Sequence, residues 1–235
     1  MSGHSKWATT KRQKAVTDAK RSSLFTKLAK NITIAAKDGA DPDMNFKLRV
    51  AVDQAKTFSM PKDNIERAIA RGAGTTEGVV LETILYEAYG PGGIGLLIET
   101  ITDNKNRSVS NLKAILNKHG GTLGSSGSVL WQFQLRGLIR TEQKNLNEDQ
   151  QSTVIDWGVE DIQSDEHGTE ILCAPEQLEK LKKQMAAAGW PISEARLEYR
   201  AKDLQKSDHA EAVINLLEAL DEDEDINAVY TNADV

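Results

Sequence analysis

The spacing of apolar residues changes near Leu81, from the period of helices to the alternation of strands. Before this point apolar residues recur every three to four positions, which predicts short amphipathic helices. The predicted helices span residues 23–37, 45–59 and 61–72. Asn45 suits an N-cap and Pro61 suits a first helical position. We therefore predict that residues 1–75 form a three-helix domain.

Strand-like and helical segments alternate after Leu81. Up to residue 133 we predict strands at 83–89, 94–101 and 129–133 and a helix from Ser108. The next predicted elements, in the order βαββαβ, span residues 138–141, 147–157, 161–164, 170–174, 176–188 and 194–200. This order is that of a ferredoxin-like sandwich. A helix from Ser207 and a strand at 227–230 follow it.

The position of the βαββαβ segment predicts an insertion. We interpret residues 134–204 as a ferredoxin-like domain inserted into a middle α/β domain made of residues 76–133 and 205–235. The predicted fold class is therefore α+β, with three domains.

Positive charge is concentrated at the start of the chain. Residues 1–30 hold eight Lys and Arg against Asp18 alone, a charge of +7 in a protein of net charge −6. Residues 1–75 carry +8 and residues 76–235 carry −14. A basic segment on an acidic chain is typical of nucleic-acid binding, although the same pattern also describes a solvated helix face. We expect the acidic body to be left for a protein partner.

The predicted nucleic-acid contacts are His4, Trp7 and the basic residues of this segment. Those basic residues are Lys6, Lys11, Arg12, Lys14, Lys20, Arg21, Lys27 and Lys30. Trp7 either stacks on a base or sugar or packs against the first helices. Lys27 and Lys30 are expected on the outer side of their helix.

Residues 104–107, Asn-Lys-Asn-Arg, form a second candidate site just before a predicted helix. Arg107 and the amides of the helix N-terminus are expected to hold a phosphate. The alternative is that Asn106 or Ser108 only caps the helix.

The sequence contains no recognisable catalytic or metal-binding constellation. The four histidines lie in four separate elements, and Cys173 lies in an apolar run. The glycine-rich segment 120–127 lacks the Lys-Ser/Thr of a phosphate-binding loop. The acidic run 221–225 lacks the spacing of a calcium loop, so we interpret it as solvated. We expect a protein that is not an enzyme and that has no metal and no cofactor.

Two further absences bound the class of protein. A single cysteine excludes an internal disulfide framework and suits a reducing compartment. Because no apolar run approaches the length of a membrane helix, we expect no membrane partner.

Five separated motifs resemble those of the YebC/PmpR family. They are GHSKW at 3–7, MPKDNIERAI at 60–69, YGPGG at 89–93, TDNKNR at 102–107, and HGG at 119–121 with GSV at 127–129. The resemblance covers essentially the whole chain. Bacterial members usually have a TDNRNR-type sequence, so Lys105 replaces an arginine, keeping the charge but losing a planar bidentate donor.

The resemblance implies the same three domains and a non-enzymatic regulator of gene expression. The family is described both as DNA-binding transcriptional regulators and as ribosome-associated translation factors, including a mitochondrial translational activator. We therefore expect transcription regulation through double-stranded DNA, with a translation factor binding ribosomal RNA as the alternative. A protein-interaction scaffold is a third hypothesis. Because the resemblance begins at Gly3, leaving no room for a presequence, we expect a bacterial, cytoplasmic member.

Overall fold

The chain forms two compact units. The computed structural model describes residues 18–75, 80–165 and 168–235. One unit consists of Met1–Phe133 and Ala201–Val235, and the other of Gln134–Arg200. The second unit is therefore an insertion in the sequence of the first.

Three helices form the first described part of the first unit. They are α1 (Asp18–Ala36), α2 (Phe46–Thr57) and α3 (Lys62–Gly72). The Asn45 side chain caps α2 by accepting a hydrogen bond of 3.1 Å from the backbone N–H of Leu48, and Pro61 immediately precedes α3. The helices share an apolar core that includes Leu28, Ile32, Leu48, Val52, Ile65 and Ala68.

Helices α1 and α3 approach each other closely at Gly72. A Cβ atom at this position would overlap the backbone oxygen of Thr33 and the Cβ of Ala36. The hydroxyl of Thr33 lies 3.2 Å from the carbonyl oxygen of Ala68 in α3. Gly72, which the sequence places at a helix end, therefore also sets the separation of two helices.

The remaining elements alternate between strands and helices. In chain order they are β1 (Glu82–Tyr89), β2 (Gly95–Thr102), α4 (Lys105–Lys118), β3 (Thr122–Leu123), β4 (Phe133–Thr141), α5 (Glu148–Asp156), β5 (Val159–Asp165), β6 (Gly168–Cys173), α6 (Leu178–Ala187), β7 (Glu194–Ala201), β8 (Gln205–Lys206), α7 (Ala210–Glu222), β9 (Ile226–Thr231) and β10 (Ala233–Asp234).

Distant parts of the chain close the sheet of the first unit. Its strand order is β3-β1-β2-β9, with antiparallel pairing throughout. Strands β8 and β10 form a separate parallel pair. Helices α4 and α7 pack against the sheet through Leu96, Ile98, Leu112, Leu116, Leu216 and Leu220. Burying each of these side chains contributes roughly 1.5–3 kcal/mol before entropy is counted.

The second unit contains the predicted order βαββαβ. Its strands are arranged β5-β6-β4-β7, the arrangement of a ferredoxin-like sheet. Asn147 and Gln150 form a capping box at the start of α5. Its core includes the buried side chains of Ile139, Val154 and Ile171.

Paired charges lie on the strands of this second unit. Arg140, which is only 5% exposed, bonds to Glu170 at 3.0 Å, and Arg200 bonds to the same carboxylate at 2.8 Å. Burial alone would raise the pKa of Glu198, but Arg196 and Arg200 outweigh it and hold this pKa below its ordinary value. Separating these strands would leave buried charges without partners, so the ion pairs favour the observed pairing of the strands.

The structure confirms the mixture of helices and sheet and corrects one predicted strand. Residues 129–133 are not a strand: Leu130–Gln132 is a short 3₁₀ turn, and β4 begins at Phe133. The backbone N–H of Val129 donates to a carboxylate of Glu87 instead of to a neighbouring strand. The division into three domains stays a prediction, because α1–α3 and the first sheet lie in the same unit.

Candidate nucleic-acid interface

The predicted contact residues fall into three groups. The first six, His4, Lys6, Trp7, Lys11, Arg12 and Lys14, lie outside the described residues. The backbone of Lys20 belongs to α1. Arg21 is exposed, with its guanidinium carbon 6.0 Å from the centre of the Phe25 ring. Lys27, Lys30 and Arg107 make contacts within the chain.

Lys27 and Lys30 do not lie on the outer side of α1, contrary to the expectation from sequence. Their side chains are 12% and 17% exposed and point to the acidic residues at the end of α7 and just after it. The ammonium of Lys27 bonds to the carbonyl oxygen of Asp221 and lies 3.4 Å from its carboxylate. The ammonium of Lys30 lies 2.6 Å from the carboxylate of Asp225 and 2.9 Å from the carbonyl oxygen of Glu224.

Asp225 is the centre of this cluster. Its carboxylate, 7% exposed, accepts hydrogen bonds from the hydroxyls of Ser108 at 2.8 Å and Thr102 at 3.2 Å. Burial opposes its ionisation, yet the hydrogen bonds from Lys30, Ser108 and Arg107 prevail and lower the pKa of Asp225 to about 2. The acidic run is therefore not simply a solvated loop, because one member is a buried anion that joins α1 to α4.

Arg107 has two carboxylates as partners. Its guanidinium lies 3.0 Å from Asp225 and 2.7 Å from Asp103, while its side chain stays 47% exposed. Asn104, and not Asn106 or Ser108, caps α4 by accepting a bond of 3.1 Å from the backbone N–H of Arg107. Residues 102–108 thus organise the surroundings of Asp225, so the assignment of Arg107 as a phosphate contact stays a prediction.

A cleft of about 830 Å³ lies beside this cluster. Its basic lining residues are Lys30, Arg71 and Arg107, and its acidic ones are Asp103, Glu222, Asp223, Glu224 and Asp225. Acidic side chains outnumber basic ones, so the cleft is electrostatically unfavourable for a polyanion.

A loop of residues 124–132, the Trp131 loop, takes the place of most of the strand predicted at 129–133. Glu87, which is 7% exposed, accepts bonds from the backbone N–H groups of Gly127 (2.6 Å), Val129 (2.6 Å) and Leu130 (2.7 Å). Burial would raise the pKa of Glu87, but the three N–H groups hold it below its ordinary value. The loop presents Trp131 at its end with 67% of the side chain exposed.

Sequence reasoning did not single out Trp131. Residues 129–133, Val-Leu-Trp-Gln-Phe, form a short apolar run interrupted only by Gln132, which is typical of a strand. The chain instead forms a 3₁₀ turn at Leu130–Gln132, and Val129 and Phe133 are buried while Trp131 is exposed. Glu87 lies on β1, some forty residues earlier, so no local pattern in the sequence shows that it bonds to this loop.

The described residues offer little for metal or thiol chemistry. Across residues 18–75, 80–165 and 168–235, no cluster of three or more His, Cys, Asp or Glu could hold a metal ion. Cys173 is buried, and burial raises the pKa of its thiol to about 11, which keeps it protonated at neutral pH. No helix in the described part of the chain is long and apolar enough to cross a membrane.

Comparison with known proteins identifies relatives along the whole chain. A family model described as the TACO1/YebC protein N-terminal domain matches residues 5–75, and one described as the TACO1/YebC second and third domain matches residues 81–233. A probable transcriptional regulatory protein of Chlorobaculum tepidum is 47% identical over all of this chain and 96% of its own length. One from Chloroflexus aurantiacus is 43% identical with the same coverage.

A solved structure is similar as well. The crystal structure of a conserved hypothetical protein from Aquifex aeolicus aligns with a TM-score of 0.83 and 38% identity. The alignment covers 92% of this chain and 91% of that protein.

Proposed function

The chain belongs to the TACO1/YebC family, and from this premise we propose that it is a non-enzymatic, nucleic-acid-binding regulator of gene expression. The ligand in this proposal is double-stranded DNA and the role is transcriptional regulation in the cytoplasm. The transcriptional role is supported by the names of the relatives from Chlorobaculum tepidum and Chloroflexus aurantiacus.

The separation of charge along the chain carries the proposal. Residues 1–30 carry +7, whereas residues 76–235 carry −14. Lysine and arginine side chains that neutralise phosphates release condensed counterions, which favours binding of any sequence. The acidic body is repelled by the same phosphates, so the molecule is oriented with its basic end on the nucleic acid.

The internal ion pairs narrow the proposed contact surface. Lys27, Lys30 and Arg107 face carboxylates, and a phosphate would have to displace them. We therefore place the contacts before Lys27. The proposed contact residues are His4, Lys6, Trp7, Lys11, Arg12, Lys14, Lys20 and Arg21.

Crosslinking in living cells, followed by sequencing of the recovered nucleic acid, tests the proposal. A photoreactive amino acid replaces Gln13, which lies among the proposed contacts without being one of them. A matched protein carries the same group at the exposed Asp149, in the acidic part of the chain. We expect discrete promoter DNA from the first position and background recovery from the second.

The other outcomes identify other functions. Ribosomal RNA recovered at one site from the first position would overturn the DNA assignment in favour of a translation factor. Protein partners that survive digestion with DNase and RNase, without recovered nucleic acid, would support an interaction scaffold instead.

A further inference from the structure

Trp131 is exposed on a loop that is held by several hydrogen bonds. Trp131 is 67% exposed and the preceding Leu130 is 38% exposed, whereas Val129 beside them is fully buried. Leaving an indole in water forgoes the large stabilisation that its burial would contribute.

The buried carboxylate of Glu87 holds the Trp131 loop through hydrogen bonds. Both carboxylate oxygens of the buried Glu87 accept backbone N–H groups of the loop, and the hydroxyl of Tyr89 donates to the carbonyl oxygen of Ser128 at 2.9 Å. At the far end, the Gln132 side chain accepts a bond of 2.7 Å from Asn232. A flat side chain on such a loop loses little entropy when a partner binds.

The indole N–H of Trp131 is not available to a partner. The Nε1–H of Trp131 donates to the carbonyl oxygen of Ser128 at 3.0 Å, so its single polar group is already satisfied. The partner must therefore offer a flat or apolar surface, as a nucleobase does.

A cation lies beside the backbone of Trp131. The exposed Lys202 donates from its ammonium to the carbonyl oxygen of Trp131 at 2.7 Å, and its backbone N–H bonds to the carbonyl oxygen of Gln132 at 2.9 Å. An ammonium has three N–H donors, so this contact fixes its position and leaves donors for a phosphate.

We infer that the Trp131 loop is a second nucleic-acid contact, where an unpaired base stacks on the ring of Trp131 and Lys202 holds a neighbouring phosphate. The inference rests on the proposed function and extends it from duplex DNA to an unpaired stretch of nucleic acid, at a site outside the basic segment. A protein partner fits less well, because a stable interface buries about 800 Å² on each side around an apolar core. This loop exposes only Leu130 and Trp131 among serines and glycines.

Fluorescence of a variant whose sole tryptophan is Trp131 tests the stacking. Trp7, Trp157 and Trp190 are replaced by Phe, and the protein is titrated with oligodeoxythymidylate and with an abasic oligonucleotide of equal length. We expect the bases to quench the emission of Trp131, and the abasic strand to bind through its phosphates without quenching. Equal responses to both strands would overturn the inference.

Affinity measurements give an independent test in the otherwise unchanged protein. Trp131→Ala should weaken binding of oligodeoxythymidylate about tenfold and leave the slope against salt unchanged, while Trp131→Phe, which keeps a stacking face, should lose less. Lys202→Gln should instead lower the slope by about one. Because Trp131 is exposed, its variants should unfold at the same temperature as the wild type.

The outcomes separate this inference from the proposed function. If the wild type binds duplex DNA and oligodeoxythymidylate while Trp131→Ala binds both equally well, the proposed function stands and the Trp131 site is wrong. If the wild type binds neither nucleic acid, both are wrong.

Discussion

Helix α1 and the segment before it carry basic residues that look alike in the sequence but have different surroundings. Arg21, near the start of the helix, is exposed and lies near the Phe25 ring. Lys27 and Lys30, two to three turns later, are largely buried against Asp221 and Asp225. The same helix therefore carries an exposed arginine near its start and, in its second half, lysines whose charges are used within the protein.

This difference shows that a count of basic residues in the sequence does not distinguish residues that bind a ligand from residues that form ion pairs within the protein. The acids that match Lys27 and Lys30 lie about 195 residues further along the chain, and only the closed sheet brings them near. Folding thus divides a segment that appears in the sequence as one basic patch. Its first part is proposed to bind nucleic acid, and its second part stabilises the fold.

Removing the carboxylate of Asp225 should disrupt the contacts of Lys30 in the second half of α1. We expect this change to have the largest effect on stability. Asp225→Ala leaves Lys30 partly buried without its anion, so the free energy of unfolding should fall by about 3 kcal/mol. Urea denaturation measures the loss. The exposed Asp203→Ala is the matched control and should change it by less than about 0.5 kcal/mol. A loss below about 1 kcal/mol for Asp225→Ala would mean that the cluster contributes little.

The Glu87→Gln variant tests a second buried anion. Unlike Asp225, Glu87 is held by backbone N–H groups and has no basic partner among the described contacts. The amide keeps the shape but turns an N–H₂ towards backbone donors, and we expect a loss of about 2 kcal/mol. Hydrogen exchange at the amides of Gly127, Val129 and Leu130 should accelerate. Unchanged exchange at these amides would show that Glu87 does not hold the loop.

The dependence of stability on pH should distinguish Asp225 from an ordinary carboxylate. Its pKa is about 2 in the folded protein and about 4 when unfolded, so its stabilisation is complete above pH 4 and is lost as pH falls towards 2. The difference in unfolding free energy between wild type and Asp225→Ala should therefore shrink by on the order of 2 kcal/mol over this range. A constant difference would contradict the low pKa.

Single neutralisations in α1 have smaller expected effects. Lys30→Gln should cost about 1 kcal/mol and Lys27→Gln less, because Asp225 is 7% exposed and Asp221 is 32% exposed. Thermal unfolding measures both. The reverse order would show that Lys27 is the more important support.

Local patterns were sufficient to predict most of the elements. The Asn45 cap, Pro61 ahead of α3 and the βαββαβ order depend on neighbouring residues, and each is present in the structure. Helix α4 begins three residues earlier than predicted, because Asn104 caps it.

Features that depend on distant partners were not predictable from local patterns. The sequence predicts Asp225 to be one of five solvated acids, because nothing nearby in the sequence shows that Lys30, Thr102 and Ser108 surround it. The sequence places Trp131 in a predicted strand. The strand does not form there, because Glu87, some forty residues earlier, accepts the backbone N–H groups that would pair with a neighbouring strand.

The dependence of duplex DNA affinity on salt concentration is the most direct test of the divided basic segment. Replacing Lys11, Arg12 and Lys14 together by Gln should lower the slope of log affinity against log salt by about 3, whereas Lys27→Gln with Lys30→Gln should leave it unchanged. A triple replacement of the exposed Lys47, Lys56 and Lys62 removes the same charge from α2 and α3 and should also leave it unchanged. A fall in slope for the Lys27 and Lys30 variant, with none for the first triple variant, would contradict the account.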